Sequence, residues 1–160
     1  MRDVLIGIDA GTSVIKSVAF DLQGRQLAAC AIPNHYEAVG RTGSVQDLPR
    51  TWADTARTLA DLSGKIDNLA GRVAGIAVTG QGDGTWLIDK QGEPVGKGWL
   101  WLDARAGETV ERLRGDSGDL ARFRSTGSGL AACQQGPQLR WITENAPEML
   151  TGATTAFHCK

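Results

Sequence analysis

The chain has 160 residues, with 41% apolar and 22% charged side chains, within the normal range for a folded domain with its own core. Seventeen basic and 18 acidic residues give a net charge of −1, so no basic excess marks a nucleic-acid-binding surface. No run of ~18 apolar residues suggests a membrane span, and the chain enters a strand directly after Met1-Arg2-Asp3, with no signal peptide, so a cytoplasmic location is expected.

In chain order, residues 4–9 (VLIGID) read as a buried strand. Residues 14–21 (VIKSVAFD) alternate as a second strand and residues 26–33 (QLAACAIP) as a third, ended by Pro33. Residues 34–46 read as loop. A helix should start at Asp47 as N-cap with Pro49 in its first turn. Its inner face should carry Trp52, Ala56, Leu59 and Leu62 or Ser63, and Gly64 should stop it. Residues 73–79 (VAGIAVT) are nearly all apolar and predict a central strand. Strands over 85–89 and 98–103 follow, the first ended by a KQGE turn. Helices are expected over 106–114, 119–124 and 137–145, with a last short strand from about residue 154. The chain stops inside an apolar run, TTAFHCK, which suggests a piece of something longer.

Several familiar chemistries are absent. No G-x-x-x-x-G-K-[ST] phosphate loop occurs. The glycines of GQGDG (80–84) follow a strand but precede another strand, whereas a dinucleotide-binding loop must open a helix. His35 and His158 have no zinc-ligand spacing, and no G-x-S-x-G elbow occurs. Cys30, Cys133 and Cys159 are odd in number and far apart, as free thiols of a reducing compartment would be.

The stretch GIDAGTSVIK (7–16) breaks an apolar strand with Asp9, Gly11, Thr12 and Ser13, then resumes with Lys16. A hairpin turn with Gly11 at positive φ would explain the glycine. It would not explain an acid at the end of a buried strand. Backbone N–H groups beside two hydroxyls can form a nest for a phosphate, and an acid at its base can hold Mg²⁺ through water.

This stretch resembles the first phosphate loop of the actin-like ATPase superfamily. Three further stretches, SVQDLPRTW (44–52), AVTGQGDGTWLID (77–89) and WLWLDARA (99–106), are similar in wording and order to the FGGY carbohydrate kinase family. The first departs from the family pattern, with Val45 where Glu is common and a shifted proline. Local wording is closest to the polyol branch of the family and its erythritol-kinase members.

The resemblance implies an α/β fold of the actin-like (ribonuclease H-like) type. Its sheet would be mixed and five-stranded, with an antiparallel three-strand start, residues 73–79 parallel to the first strand, and flanking helices. Residues 1–160 would be the N-terminal, sugar-binding domain, with the nucleotide domain outside this sequence. The implied reaction is ATP- and Mg²⁺-dependent phosphorylation of a terminal hydroxyl of a polyol or sugar. Asp9, Gly11, Thr12, Ser13 and Lys16 fall on the phosphate loop, with Asp9 reaching the metal through water. Gln81, Gly82 and Asp83 fall on the loop that contacts sugar hydroxyls. Glycerol kinases carry Arg-Glu there and xylulokinases Met-His, so Gly82-Asp83 argues against glycerol kinase identity.

Trp101, or Trp99 alternating with it, could wall the substrate. Asp103 could accept from a hydroxyl, or Arg105 could simply pair with it. TGSGLAACQQGPQLRWI (126–142) parallels a further family stretch, which puts Cys133 and Gln134 at the pocket border, with a buried inert thiol as the alternative for Cys133. The family's catalytic Asp lies downstream, so no catalytic base is expected in this chain, and the 160 residues alone should be inactive. A homodimer of the full-length protein is compatible with the resemblance; nucleic-acid and membrane partners are not expected. The rival reading is a non-catalytic sugar-sensing or scaffold module on the same fold.

Overall fold

The computed structural model describes residues 2–115 and 118–159, which form two compact units. The first comprises residues up to Tyr36, Asp47–Gln81 and Cys159. The second comprises Glu37–Gln46 and Gly82–His158.

The first unit is built on a four-stranded mixed sheet. β1 (Val4–Ala10), β2 (Val14–Asp21) and β3 (Gln26–Pro33) form an antiparallel meander, as expected. β6 (Val73–Gly80) lies parallel to β1, giving the order β3-β2-β1-β6. Alternation along β1 sends Val4, Ile6, Ile8 and Ala10 inward. Val4, Ile6 and Ile8 pack with Ala19, Cys30, Leu62, Ile66 and Leu69 as one core.

Helix α1 (Leu48–Ser63) covers that core. Asp47 caps it by accepting from the Arg50 N–H at 2.8 Å, and Pro49 occupies its first turn. Its inner face is the expected one at Leu62, which is buried, and at Leu59, which packs against the core, but differs elsewhere. Leu48, Thr51, Thr58 and Leu62 are buried, while Trp52 is 79% exposed and Ala56 is also outside. The reason is hydroxyl chemistry. Thr58 Oγ1 donates to the Thr55 carbonyl at 2.8 Å and lies 2.6 Å from the fully buried Ser17 Oγ on β2. A threonine satisfied in this way can face a sheet that the apolar spacing alone would give to tryptophan. The short helix α2 (Leu69–Arg72) precedes β6 and was not expected.

β6 is not central. It is the edge of its sheet, and Ile76 and Val78 are 57% and 55% exposed. Its apolar run resembles that of a strand buried on both faces, but among the described residues only β1 pairs with it.

The second unit holds a separate sheet in which β4 (Glu37–Val39), β5 (Gly43–Gln46), β8 (Gly98–Leu100), β7 (Gly84–Ile88) and β9 (Thr155–Phe157) neighbour one another in that order, all antiparallel. The single five-stranded sheet expected from the sequence is therefore two sheets, of four and five strands. The expected loop over 34–46 contributes β4 (Glu37–Val39) and β5 (Gly43–Gln46), a hairpin turning through Gly40 at φ 59°. Strands this short, with β4 wholly exposed, leave no alternation to read. β7 (Gly84–Ile88) and β9 (Thr155–Phe157) match expectation, whereas β8 (Gly98–Leu100) stops three residues early in a turn. Helices α3 (Gly107–Arg114), α4 (Asp119–Thr126) and α5 (Gln135–Asn145) follow, then a 3₁₀ turn over Pro147–Leu150. Val45, Trp99 and Ile142 form this unit's core, with Trp141, Met149 and Leu150 packed against it.

Gly84 is the tightest backbone position. Its φ is 118°, and a Cβ there would lie 2.3 Å from the Trp99 carbonyl oxygen. Gly84→Ala should destabilise the fold by more than ~2 kcal/mol, combining strain with a backbone clash. Urea denaturation monitored by tryptophan fluorescence checks this, and an unchanged midpoint would contradict it.

Candidate functional site

In the first unit the β1–β2 turn is tight. Gly11 N–H donates to the Val14 carbonyl at 3.1 Å. The glycine is required by space rather than by φ. Gly11 is not among the positive-φ residues, but a Cβ on it would lie 2.7 Å from Val14 O. Asn34, expected to be plain loop, braces this turn from the end of β3. Its Nδ2 donates to Gly11 O at 2.8 Å, its N–H donates to Ser13 O at 2.8 Å, and it is 6% exposed. An asparagine just after a strand-ending proline was the available signal.

Asp9 is exposed and not at a buried strand end, because β1 alternation turns it outward. Register places Lys16 opposite it on β2 and Thr79 beside it on β6, all on one sheet face. Asp9, Lys16 and Thr79 rim a shallow depression of about 290 Å³, with Val18, Phe20 and Ala77 on its floor. Thr12 is half-buried and Ser13 exposed. Gln81 closes β6, and its N–H points to the Ala10 carbonyl at 3.4 Å. No cluster of three or more metal-ligating side chains occurs among the described residues. A lone exposed carboxylate fits a hydrated Mg²⁺, which keeps most of its water, and fits direct multidentate ligation poorly.

In the second unit the Asp103–Arg105 segment forms a dense polar cluster. Asp103 is 1% exposed. Its Oδ1 accepts from Arg105 N–H at 3.0 Å and from Nε at 3.1 Å. Its Oδ2 accepts from Arg105 Nη2 at 2.6 Å, from Nε at 3.0 Å and from Ser44 N–H at 2.8 Å. A carboxylate offers about four acceptor positions. These contacts occupy them, so Asp103 is not a hydroxyl acceptor as it stands, and Arg105 is its partner. The guanidinium sits 3.2 Å over the Trp99 ring and 5.9 Å from Trp141. Trp99 is therefore core, at 2% exposure, and Trp101 is the tryptophan at the surface, at 48%.

Asp83 and Cys133, 50 residues apart, are brought together. The Cys133 thiol donates to Asp83 Oδ2 with Sγ at 3.5 Å. The thiol is half-buried rather than inert in the core. Partial burial pushes its pKa above the ordinary 9.0, and the negative Asp83 beside it pushes further. Gln134 turns back into its own loop. Its Oε1 accepts from Ala131 N–H at 3.1 Å, and its Nε2 donates to Gly129 O at 3.1 Å. Gly82 has open space where a side chain would be. All three cysteines are free thiols.

These features define a class first. A meander with a parallel fourth strand and a glycine-tight first turn is the actin-like ATPase fold of sugar kinases. The chain superposes on xylulose kinase from Rhodospirillum rubrum with a TM-score of 0.89 and 25% identity, over 96% of this chain and 31% of that one. The particular family follows from sequence. Residues 4–159 match the N-terminal domain of the FGGY family of carbohydrate kinases, and the chain belongs to that family. It is similar to erythritol kinase from Brucella abortus (strain 2308), with 53% identity over 99% of this chain and 30% of that protein. It is also similar to glycerol kinase from Saccharopolyspora erythraea, with 31% identity over 91% of this chain and 29% of that protein. The chain thus spans about 30% of the length of these curated relatives.

Asp103→Ala should cost about 3–5 kcal/mol, because it strands a mostly buried guanidinium. Chemical denaturation measures the loss; a cost under ~1 kcal/mol would mean that the pair is solvated. For Cys133, alkylation by iodoacetamide should accelerate only at pH above the ordinary thiol range. Asp83→Asn should move that rise to lower pH, and identical profiles would show that the carboxylate does not act on the thiol.

Proposed function

We propose that this chain supplies the substrate-binding part of an ATP-dependent polyol kinase. The acceptor would be a terminal hydroxyl of an erythritol-like polyol. The observation that carries this reading is the 53% identity to an erythritol kinase across nearly the whole chain, against 31% to a glycerol kinase. The site chemistry supports it. Asp83 is exposed, and its Oδ1 makes no protein hydrogen bond among the described residues, so it can accept from vicinal hydroxyls. Gly82 leaves room beside it, and Trp101 offers an exposed apolar face for carbon–hydrogen edges.

The β1–β2 turn would take the phosphate end of the nucleotide. Its glycine-tight backbone, with Thr12 and Ser13, offers N–H and hydroxyl donors, and Lys16 supplies positive charge on the same face as Asp9. Asp9 would hold Mg²⁺ through its water shell. Bound with the nucleotide, the metal neutralises charge on the phosphate oxygens. Gly82 and Asp83 would form the substrate loop, while Asp103, Arg105 and Gln134 hold the surrounding structure. The base that accepts the hydroxyl proton would come from outside these 160 residues, as would the adenine site. Little covalent chemistry falls to the protein in such a transfer, so positioning carries the rate. We place the protein in the cytoplasm; no described helix is long and apolar enough to cross a membrane.

A coupled ADP-release assay of the full-length protein over glycerol, erythritol and xylulose tests the reading. Erythritol should give the highest kcat/KM, and no stimulation by any polyol or ketose would overturn it. Asp83→Ala should raise KM for the polyol by about 10- to 100-fold, as for loss of hydrogen bonds to a charged acceptor. KM for ATP should stay within about twofold, since Asp83 lies on the hydroxyl-reading loop.

A further inference from the structure

The Asp83 side chain is on an exposed loop, yet both ends of its contact with Cys133 are anchored. On one side, Asp83 immediately precedes Gly84, which is fixed by its 118° φ and its close approach to the Trp99 carbonyl. On the other side, Cys133 belongs to a loop that closes on itself. Gln134 N–H donates to the Ala131 carbonyl at 3.1 Å, and the Gln134 amide returns to Ala131 N–H and to Gly129 O. Arg114 Nη2 adds a bond to the Leu130 carbonyl at 2.7 Å. Gln134 then caps α5, so the loop is continuous with a helix that reaches the unit's core through Ile142.

An exposed aspartate one residue from an open glycine would otherwise sample several rotamers. We infer that the Cys133 thiol is a positioning residue for the kinase reaction: by donating to Asp83 Oδ2 it holds the carboxylate in one rotamer and leaves Oδ1 to receive the polyol hydroxyl, with Gln134 bracing the thiol's loop. This rests on the reading of Asp83 as the hydroxyl acceptor. The raised thiol pKa is consistent with it, because the donor form S–H then persists through neutral pH. A thiol suits this place. It is a weak donor, so it orients the carboxylate without neutralising it as an arginine would.

The experiment compares Cys133→Ala, Cys133→Ser, Asp83→Ala and the Cys133→Ala/Asp83→Ala pair in the full-length protein. KM for erythritol, KM for ATP and the melting temperature are read for each. Cys133→Ala should raise KM for erythritol by about 3- to 10-fold, the scale of one ordinary hydrogen bond. KM for ATP and the melting temperature should hold. Cys133→Ser, whose hydroxyl also donates, should restore KM to within about twofold of the parent. In the Asp83→Ala background, Cys133→Ala should add nothing, because the group it positions is gone.

If Asp83→Ala raises KM for erythritol and Cys133→Ala does not, the positioning role is wrong and the substrate reading stands. If Asp83→Ala leaves KM unchanged, the substrate reading itself fails and takes the inference with it. If Cys133→Ala raises both KM values together or lowers the melting temperature, and Cys133→Ser does not rescue, the thiol is merely structural and the inference is overturned.

Discussion

A carboxylate taken out of water must be matched, and the second unit is organised around one that is. Asp103 is 1% exposed, and every acceptor position it has is used. Burial of an unpaired charge would cost several kcal/mol, so Arg105 must follow it inside, and the guanidinium needs its own cover. Trp99 supplies that cover at 3.2 Å, with Trp141 of α5 further out. The remaining oxygen contact goes to Ser44 N–H, which ties the β4–β5 hairpin to the pair. Gly43 has no room for a side chain, since a Cβ there would lie 2.6 Å from the Val39 carbonyl oxygen and 2.9 Å from Arg105 Nε. Ala104 N–H donating to Thr42 O completes the seam. Hairpin, β8 and α5 are thereby held through one ion pair.

That constraint separates two jobs that the sequence pattern runs together. Wording alone leaves open which residues of WLWLDARA face a substrate and which hold the structure. Folded, its residues diverge. Trp99, Asp103 and Arg105 form a brace, and Trp101 is left at the surface. The distinction depends on Ser44 and Trp141, which lie 59 and 42 positions from Trp99-Asp103 partners in the chain and which no local spacing could supply. Gln134 tells the same story over a shorter range. Its amide looks like a pocket ligand from its neighbours, but its oxygen and nitrogen close the loop that carries it.

The fold was legible where one periodicity dominated. The first three strands were read correctly because alternation and turn glycines agree over residues 4–33. The helix face was misread because three inward threonines, at positions 51, 55 and 58, bond to main-chain carbonyls and so behave as core residues. β6 was misplaced because an apolar run reports what a strand is suited to, not what pairs with it among the residues described. In the site, Gly11 was recognised for the wrong reason. A left-handed φ is one cause that would select glycine there, but its constraint is the 2.7 Å approach to Val14 O. Either cause selects glycine, so composition alone cannot separate them.

The two glycines that flank Asp83 show why identity and role must be argued separately. Gly82 has nothing within 4 Å of an added Cβ, so the fold does not demand glycine there. Gly84 could not be anything else without moving the β7–β8 pairing. A position where the fold is indifferent, next to one where it is rigid, is where a side chain can be exchanged to suit a ligand at little cost in stability. Between them stands Asp83, its backbone set by Gly84 and one oxygen set by Cys133. The rigid neighbour fixes where the carboxylate starts, the thiol accounts for one of its oxygens, and the empty position at Gly82 leaves space beside the other.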